Sequence, residues 1–206
     1  RHSGWVRLIH WLVALSGFVL VFTGMGELPM YKRYNLVKVP GLQWAGDFEL
    51  NLVIHYLAAF VFTAAILFHL VYHLRRREFA ALPRKGDVRE SIRILKAMLT
   101  GKEEPPHGKF LAEQRLAYLV MGLVSLGLVV TGLIKTYKNL GAIVLSPTLL
   151  QIVTLSHTAL TMLFLVLILL HLAAFVVKAN RPLLPSIFTG RVSREYATER
   201  HGKWVV

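Results

Sequence analysis

The chain has 206 residues, 55% of them hydrophobic and 17% charged, and its mean hydropathy is +0.53. Soluble domains carry about 25% charged residues, so this composition indicates a protein that crosses a membrane several times. The sequence contains no cysteine, which excludes disulfides and iron–sulfur or thiolate metal sites within it and leaves nine histidines as nitrogen ligands. The net charge of +13 does not indicate nucleic-acid binding, because the basic residues flank apolar runs and form no basic domain.

Four apolar runs reach or approach the about 20 residues that a helix needs to cross a bilayer. We predict membrane spans at about 8–27, 50–74, 115–135 and 149–178. The first run lacks a small-residue cleavage motif and is too long for a signal peptide core, so we expect it to remain as a helix. The predicted fold class is all-α, an integral membrane four-helix transmembrane bundle that forms a single domain over residues 1–206.

Lys and Arg are distributed unevenly between the connecting segments. The segment 75–115 contains eleven and the residues from 178 onward contain six, whereas the loops after the first and third spans contain three and two. Cytoplasmic loops are enriched in Lys and Arg. We therefore expect the N-terminus, the long middle segment and the C-terminus to face the cytoplasm, with the chain in the bacterial inner membrane.

The middle segment contains the pattern of an amphipathic helix, with Asp87 and Glu90 at its start and Gly101 at its end. Apolar and basic residues recur at helical spacing through it: Val88, Ile92, Leu95 and Leu99 against Arg89, Arg93 and Lys96. We expect this helix to lie in the headgroup plane on the cytoplasmic side. The alternative is a surface helix of a soluble insert, which is less favoured because the insert is too small to build its own core.

Histidines stand out within or near the ends of the apolar runs. The fourth run contains His157 and His171, fourteen residues apart, and the second run repeats this interval with His55 and His69, while His10 opens the first. Fourteen residues rise about 21 Å and end about 40° short of four turns, so each pair shares one helix face. Ionisable side chains are costly in hydrocarbon, which makes these residues candidates for a functional site. Apart from this interval, no internal repeat is evident.

Two bis-histidine haem sites would account for this arrangement. His55 and His157 lie near the outer edge and would bind one haem, while His171 lies near the inner edge and has two candidate partners, His10 and His69. The spacing alone leaves that choice open. Two axial imidazoles fill both open positions of a haem iron, which suits electron transfer. The sequence thus predicts a membrane cytochrome b with two haem b groups. The alternative is a haem-free anchor or transporter whose histidines relay protons.

Small residues follow His10 along its face of the first span: Ala14, Gly17, Val21 and Gly24. This stripe would let a porphyrin lie against the helix backbone, although small residues also serve helix–helix contacts. Arg7, one turn before His10, is a candidate partner of a haem propionate or an anchor of the helix end.

The order of several short motifs resembles the cytochrome b (gamma) subunits of respiratory membrane-bound formate dehydrogenases over nearly the whole chain. The motifs are Leu8-Ile9-His10-Trp11, His55, Gly108-Lys109-Phe110 with Gln114, Val130-Thr131-Gly132, His157-x13-His171, Gly190-Arg191-Val192-Ser193-Arg194 and Trp204. The sequence departs from the family pattern at His69, where the family is apolar, and at Leu111, where it has Asn.

The resemblance implies that His55 with His157 and His10 with His171 ligate the two haem irons, which favours His10 over His69. It also implies reduction of menaquinone or another quinone near the inner haem, where we expect Gln114 and Lys109 to lie around the quinone. Lys109 is alternatively an ordinary anchor at the membrane edge.

The resemblance further implies a periplasmic iron–sulfur subunit and a catalytic molybdopterin (Mo or W) subunit as partners. Electrons would flow inward to the quinone, with protons taken from the cytoplasm. The outer loop 28–49, with Tyr31, Tyr34 and Trp44, is expected to pack on the iron–sulfur partner or to form an aromatic belt at the interface. Related four-helix cytochromes serve hydrogenases and thiosulfate or polysulfide reductases, and the sequence does not choose among these partners.

Overall fold

The computed structural model describes residues 3–100 and 108–200. All secondary-structure elements in these residues are helices, and no strand is present among them. Four helices are long and apolar enough to cross a membrane: α1 (Gly4–Glu27), α3 (Phe48–Arg76), α5 (Ala112–Asn139) and α6 (Pro147–Ala173), which continues as a 3-10 turn to Val176. The shorter helices are α2 (Met30–Arg33), α4 (Asp87–Thr100), α7 (Ser186–Thr189) and α8 (Arg194–Arg200). The predicted all-α membrane bundle with four spans is confirmed.

Polar caps fix where three of the long helices begin. The side chains of Ser3, Asp47 and Ser146 each accept a hydrogen bond from a backbone N–H in the first turn of α1, α3 and α6. Each bond satisfies one of the N–H groups that a helix start leaves without an intrahelical partner.

The four long helices run up and down, each antiparallel to its two neighbours. Side-chain contacts place the start of α1 beside the end of α3, where Ser3 Oγ lies 3.1 Å from Tyr72 Oη. We call this end of the bundle, which also holds the start of α5 and the end of α6, the basic end. α5 packs on α6 and α3, and Gly17 of α1 lies against Phe164 of α6. The order around the bundle is therefore α1, α3, α5, α6, with α3 and α6 diagonal and parallel.

An aromatic contact between the diagonal helices forms the centre of the bundle. The rings of Phe62 and Phe164 meet edge to face with centroids 5.9 Å apart, and both are buried together with Val124. Hydrophobic residues of all four helices pack against this cluster: Val13, Leu20, Val21, Ile66, Met121, Leu128, Val129, Leu160, Leu167 and Ile168. This layer divides the bundle interior into two levels, one toward each membrane face.

A buried ion pair attaches the amphipathic helix α4 to the basic end. Arg115 donates from Nε and Nη2 to the two carboxylate oxygens of Asp87, at 2.7 and 2.5 Å, and the two residues are 8% and 3% exposed. Ile94 packs beside this pair in a buried cluster with Leu111 and Ala112.

On its other sides, α4 is exposed within the part of the chain that the structure describes. Its apolar residues Val88, Ile92 and Leu95 are exposed, and so are the neighbouring basic residues Arg89, Arg93 and Lys96. The predicted helix from Asp87 is confirmed, and its described part runs to Thr100. The side chain of Leu99 and the predicted end at Gly101 lie outside what the structure describes.

Replacing Asp87 by Asn should destabilise the chain, because it leaves the Arg115 guanidinium buried without a counter-charge. Breaking a buried ion pair costs about 3 kcal/mol or more. We expect a lower thermal unfolding midpoint in detergent and faster proteolysis between α3 and α4. Glu49→Gln is the control, since Glu49 is an exposed acid at the start of α3. Unfolding of Asp87→Asn at the wild-type temperature would contradict this role for the pair.

The same ion pair predicts an acid limit. Hydrogen bonds from Arg115 hold the pKa of the Asp87 carboxyl below its usual range. A lowered folded-state pKa stabilises the fold at pH values above the usual carboxyl pKa of about 4, and this stabilisation is lost as the pH falls toward the folded-state value. As the pH is lowered below about 4, the thermal unfolding midpoint of the wild type should therefore decrease more steeply than that of Asp87→Asn.

Candidate functional site

Threonine hydroxyls of neighbouring helices hold the two histidines at the end opposite the basic end. His157 Nδ1 lies 2.8 Å from Thr131 Oγ1, and His55 Nδ1 lies 2.9 Å from Thr23 Oγ1. Each threonine sits in one helix of a packed pair and each histidine in the other.

The bonding of these threonines fixes the tautomer of both rings. Thr131 Oγ1 donates to Gly127 O at 2.7 Å, and Thr23 Oγ1 donates to Val19 O at 2.8 Å. A hydroxyl has one proton, and here it is donated to a helix carbonyl. The hydroxyl oxygen can therefore only accept a hydrogen bond from the imidazole, which must carry its proton on Nδ1. Nε2 then carries the lone pair, which is the form of histidine that ligates a metal.

A glycine follows each threonine and lies beside the imidazole, at a distance where an added Cβ would make van der Waals contact with the ring. A Cβ atom at Gly24 would lie 3.6 Å from His55 Cε1, and one at Gly132 would lie 3.4 Å from His157 Cε1. The predicted small-residue stripe of α1 thus faces side chains of other helices. Gly24 lies beside His55, and Gly17 lies beside Phe62 and Phe164. These threonine–glycine pairs were not identified from the sequence as supports of the site. The pattern that could have indicated them is a polar residue within an apolar run.

At the basic end, His171 lies beside His10 and not beside His69. The rings of His10 and His171 have centroids 6.4 Å apart, tilted by 50°, and both side chains are exposed. A metal with bonds of about 2 Å to each of two imidazoles would separate their centroids by about 6 Å. His69 Nε2 is instead 2.7 Å from Tyr118 Oη of α5. The assignment of ligands stays a prediction, and this arrangement supports the pair of His10 with His171.

Arg7 contacts the C-terminal segment. Its Nη1 donates to the carbonyl of Phe188 in α7, whose ring stacks on Trp11 with centroids 5.2 Å apart. Arg7 Nε is buried without a hydrogen-bond partner. Its predicted bond to a propionate stays a prediction.

The predicted quinone residues lie together at the start of α5. Gln114 Oε1 accepts from the backbone N–H of Leu111 at 3.2 Å, and Lys109 Nζ lies 5.4 Å from the centre of the Phe110 ring. Leu111 is 1% exposed in the cluster with Ile94. Its apolar side chain is thus explained by the packing of α4, while the roles of Gln114 and Lys109 at a quinone stay predictions.

The outer loop divides its aromatic residues between the core and the surface. Tyr31 is buried and donates to the carbonyl of Phe22 at 2.8 Å, and burial raises the pKa of its phenol. Tyr34 and Trp44 are exposed. These two, and not Tyr31, remain available for a partner or for the membrane interface. The predicted Trp204 lies outside the described residues.

The donor set fits haem b better than a free metal ion. Among the described residues, no group of three or more His, Cys, Asp or Glu side chains is placed to hold a metal. A porphyrin supplies four ligands itself and needs only two axial ones from the protein. The rings of His10 and His171 lie close enough for two such ligands at one level, and His55 and His157 keep Nε2 for this role at the other.

Replacing Thr131 by Val should leave the buried Nδ1–H of His157 without an acceptor. We expect a loss of about 1–3 kcal/mol in the free energy of unfolding. In the haem-free chain, where no metal holds the proton on Nδ1, the nitrogen NMR spectrum of labelled histidine should lose the single Nδ1–H tautomer. Thr131→Ser keeps the hydroxyl and is the control, which should retain the wild-type tautomer. An unchanged tautomer in Thr131→Val would disprove the assignment.

Comparison with known proteins agrees with this geometry. The formate dehydrogenase cytochrome b556 subunit of Haemophilus influenzae is 26% identical over 212 residues, covering 99% of this chain and 81% of that protein. Residues 1–190 match the family described as prokaryotic cytochrome b561. A cytochrome b family implies haem b, and the four apolar helices agree with a multi-pass membrane protein. The chain therefore belongs to the prokaryotic cytochrome b561 family.

Proposed function

We propose that this chain is the membrane-anchoring dihaem cytochrome b subunit of a respiratory formate dehydrogenase. It carries electrons between an iron–sulfur partner at one membrane face and a quinone near the other. The observation that supports the proposal is the contact of the His10 and His171 rings on one side of the Phe62–Phe164 layer, with His55 and His157 each held by a threonine on the other side. The similarity to a formate dehydrogenase cytochrome subunit supports the choice of enzyme.

His55 with His157 would hold one haem b, and His10 with His171 the other. Haem b with two axial imidazoles accepts and gives single electrons. The chain's own contribution is to hold the ligand rings in place, with Thr23 and Thr131 bonded to Nδ1 at the opposite end. At the basic end, Arg7 lies one turn from His10 and would bond to a propionate.

The distribution of charge supports an orientation of the chain in the membrane. The basic end carries most of the Lys and Arg residues, so it faces the cytoplasm together with both termini. The segment 28–47 then faces the periplasm, where Tyr34 and Trp44 would contact an iron–sulfur subunit joined to a molybdopterin subunit. Quinone reduction is proposed at the basic end, near Gln114 and Lys109, with protons taken from the cytoplasm.

A spectrum of the purified chain tests the cofactor. After reduction with dithionite we expect a b-type α band, and a pyridine haemochrome assay should give two haems per chain. Absence of the band would contradict the assignment as a cytochrome and favour a haem-free anchor. A catalytic subunit that co-purifies with the chain and oxidises formate would support the assignment to a formate dehydrogenase. Co-purification of a hydrogenase or of a thiosulfate or polysulfide reductase would contradict that assignment and identify the enzyme that the chain serves.

Single substitutions at the basic end test the ligand pair. His10→Ala should reduce the haem content from two per chain to one, because it removes one axial ligand of the site shared with His171. His69→Ala is the matched control at a similar depth and should keep both haems, since His69 bonds to Tyr118. Loss of a haem from His69→Ala with retention in His10→Ala would reverse the assignment.

A further inference from the structure

A row of ionisable side chains, separate from the proposed haem ligands, runs inward from the basic end between α3 and α5. Glu78 Oε2 lies 3.6 Å from His73 Nδ1. The ring of His73 lies beside that of His69, with centroids 4.5 Å apart. His69 Nε2 in turn lies 2.7 Å from Tyr118 Oη. Four groups that exchange protons thus follow one another without a gap larger than one water molecule would span.

The row begins in solvent and ends within the membrane span. The Glu78 side chain is 48% exposed and that of His73 22% exposed. His69 lies seven residues before the end of α3, and Tyr118 lies six residues after the start of α5. At about 1.5 Å per residue, both groups are about 10 Å inside the basic end.

The inner end of the row lies near the proposed quinone. Tyr118 follows Gln114 by four residues and therefore lies on the same face of α5, one turn deeper. The outer end is held in place, because Arg76 Nε donates to Glu78 Oε1 at 3.2 Å and leaves Oε2 toward His73.

The two halves of the chain show what is unusual about this row. α1 and α5 correspond with an offset of 108 residues, which matches Thr23–Gly24 with Thr131–Gly132. α3 and α6 correspond with an offset of 102, which matches both histidines and the core phenylalanine of each helix. By these offsets, the contact of α1 with α6 through His10 and His171 corresponds to the contact of α5 with α3 through Tyr118 and His69. The tyrosine replaces an imidazole, so this second pair can pass a proton.

We propose that Glu78, His73, His69 and Tyr118 form a proton relay from the cytoplasmic surface to the quinone. This inference rests on the proposed function, because it requires quinone reduction at the basic end. Reduction of one quinone to quinol consumes two electrons, which the chain delivers, and two protons, which solvent supplies. An imidazole takes a proton on one ring nitrogen and releases one from the other, and the Tyr118 hydroxyl passes it on to a quinone oxygen.

A neighbouring tyrosine has a contrasting role. Tyr72 Oη bonds to Ser3 Oγ at the start of α1, and its ring packs on Phe68 and under the Arg76 guanidinium. Its ring also lies edge to face with that of His73, with centroids 5.4 Å apart, but its hydroxyl bonds to a serine and not to an ionisable group. Tyr118 differs because its partner, His69, connects through His73 to the surface.

The test uses the purified, haem-loaded full chain mixed with menadiol, a naphthoquinol without an isoprenoid tail. Oxidation of the quinol reduces haem, which gives a rise in the α band, and releases two protons along the same row in reverse. Tyr118→Phe and His69→Ala should keep both haems and their dithionite spectra but slow this reaction about 100-fold, the size of a lost proton-transfer group. Imidazole added to His69→Ala should restore a large part of the rate.

Tyr56→Phe is the matched control, because Tyr56 Oη also bonds from α3 to α5, to Asn139 Nδ2 at 2.9 Å, but at the opposite end. It should react at the wild-type rate. Wild-type rates in both relay variants with full haem content would overturn the relay, and so would loss of a haem from His69→Ala. A wild type that binds two haems but is not reduced by quinol would overturn the proposed function itself.

Discussion

An imidazole inside an apolar bundle must have a partner for each ring nitrogen, because an unsatisfied polar group in hydrocarbon costs several kcal/mol. Thr23 and Thr131 supply one partner to His55 and His157 through hydroxyls whose own protons are already bonded to helix carbonyls. The protein therefore satisfies Nδ1 and keeps the lone pair on Nε2, the form of histidine that can ligate a metal. The glycines that follow the threonines lie against the same two rings.

The central phenylalanines set the vertical arrangement of the site. In α3 and α6 alike, a phenylalanine lies seven residues after the first histidine and seven before the second. Seven residues complete nearly two helical turns, so all three side chains point into the bundle. Contact of Phe62 with Phe164 fixes α3 against α6 across the diagonal, and each histidine level follows from that contact by helix geometry alone.

The sequence predicted what depends on composition and period and missed what depends on contacts between distant helices. Apolar length and the fourteen-residue interval were sufficient for four spans and for the histidine levels. The partners of His69, His55 and Asp87 were not predictable in this way, because Tyr118, Thr23 and Arg115 lie 49, 32 and 28 residues away. A departure from the family pattern, Leu111, also became understandable only once α4 was seen to bury it.

The correspondence of the two halves shows how one bundle would accommodate both electrons and protons. At the basic end, the start of α1 meets the end of α6 and the start of α5 meets the end of α3, and each contact contains a histidine of α6 or α3. Where the other helix contributes His10, the pair has two nitrogen ligands, as an iron between two imidazoles requires. Where it contributes Tyr118, the hydroxyl is a hydrogen-bond partner and the pair favours proton exchange. In the proposed function, a change from imidazole to phenol at one position would thus separate an electron-carrying contact from a proton-carrying contact within the same geometry.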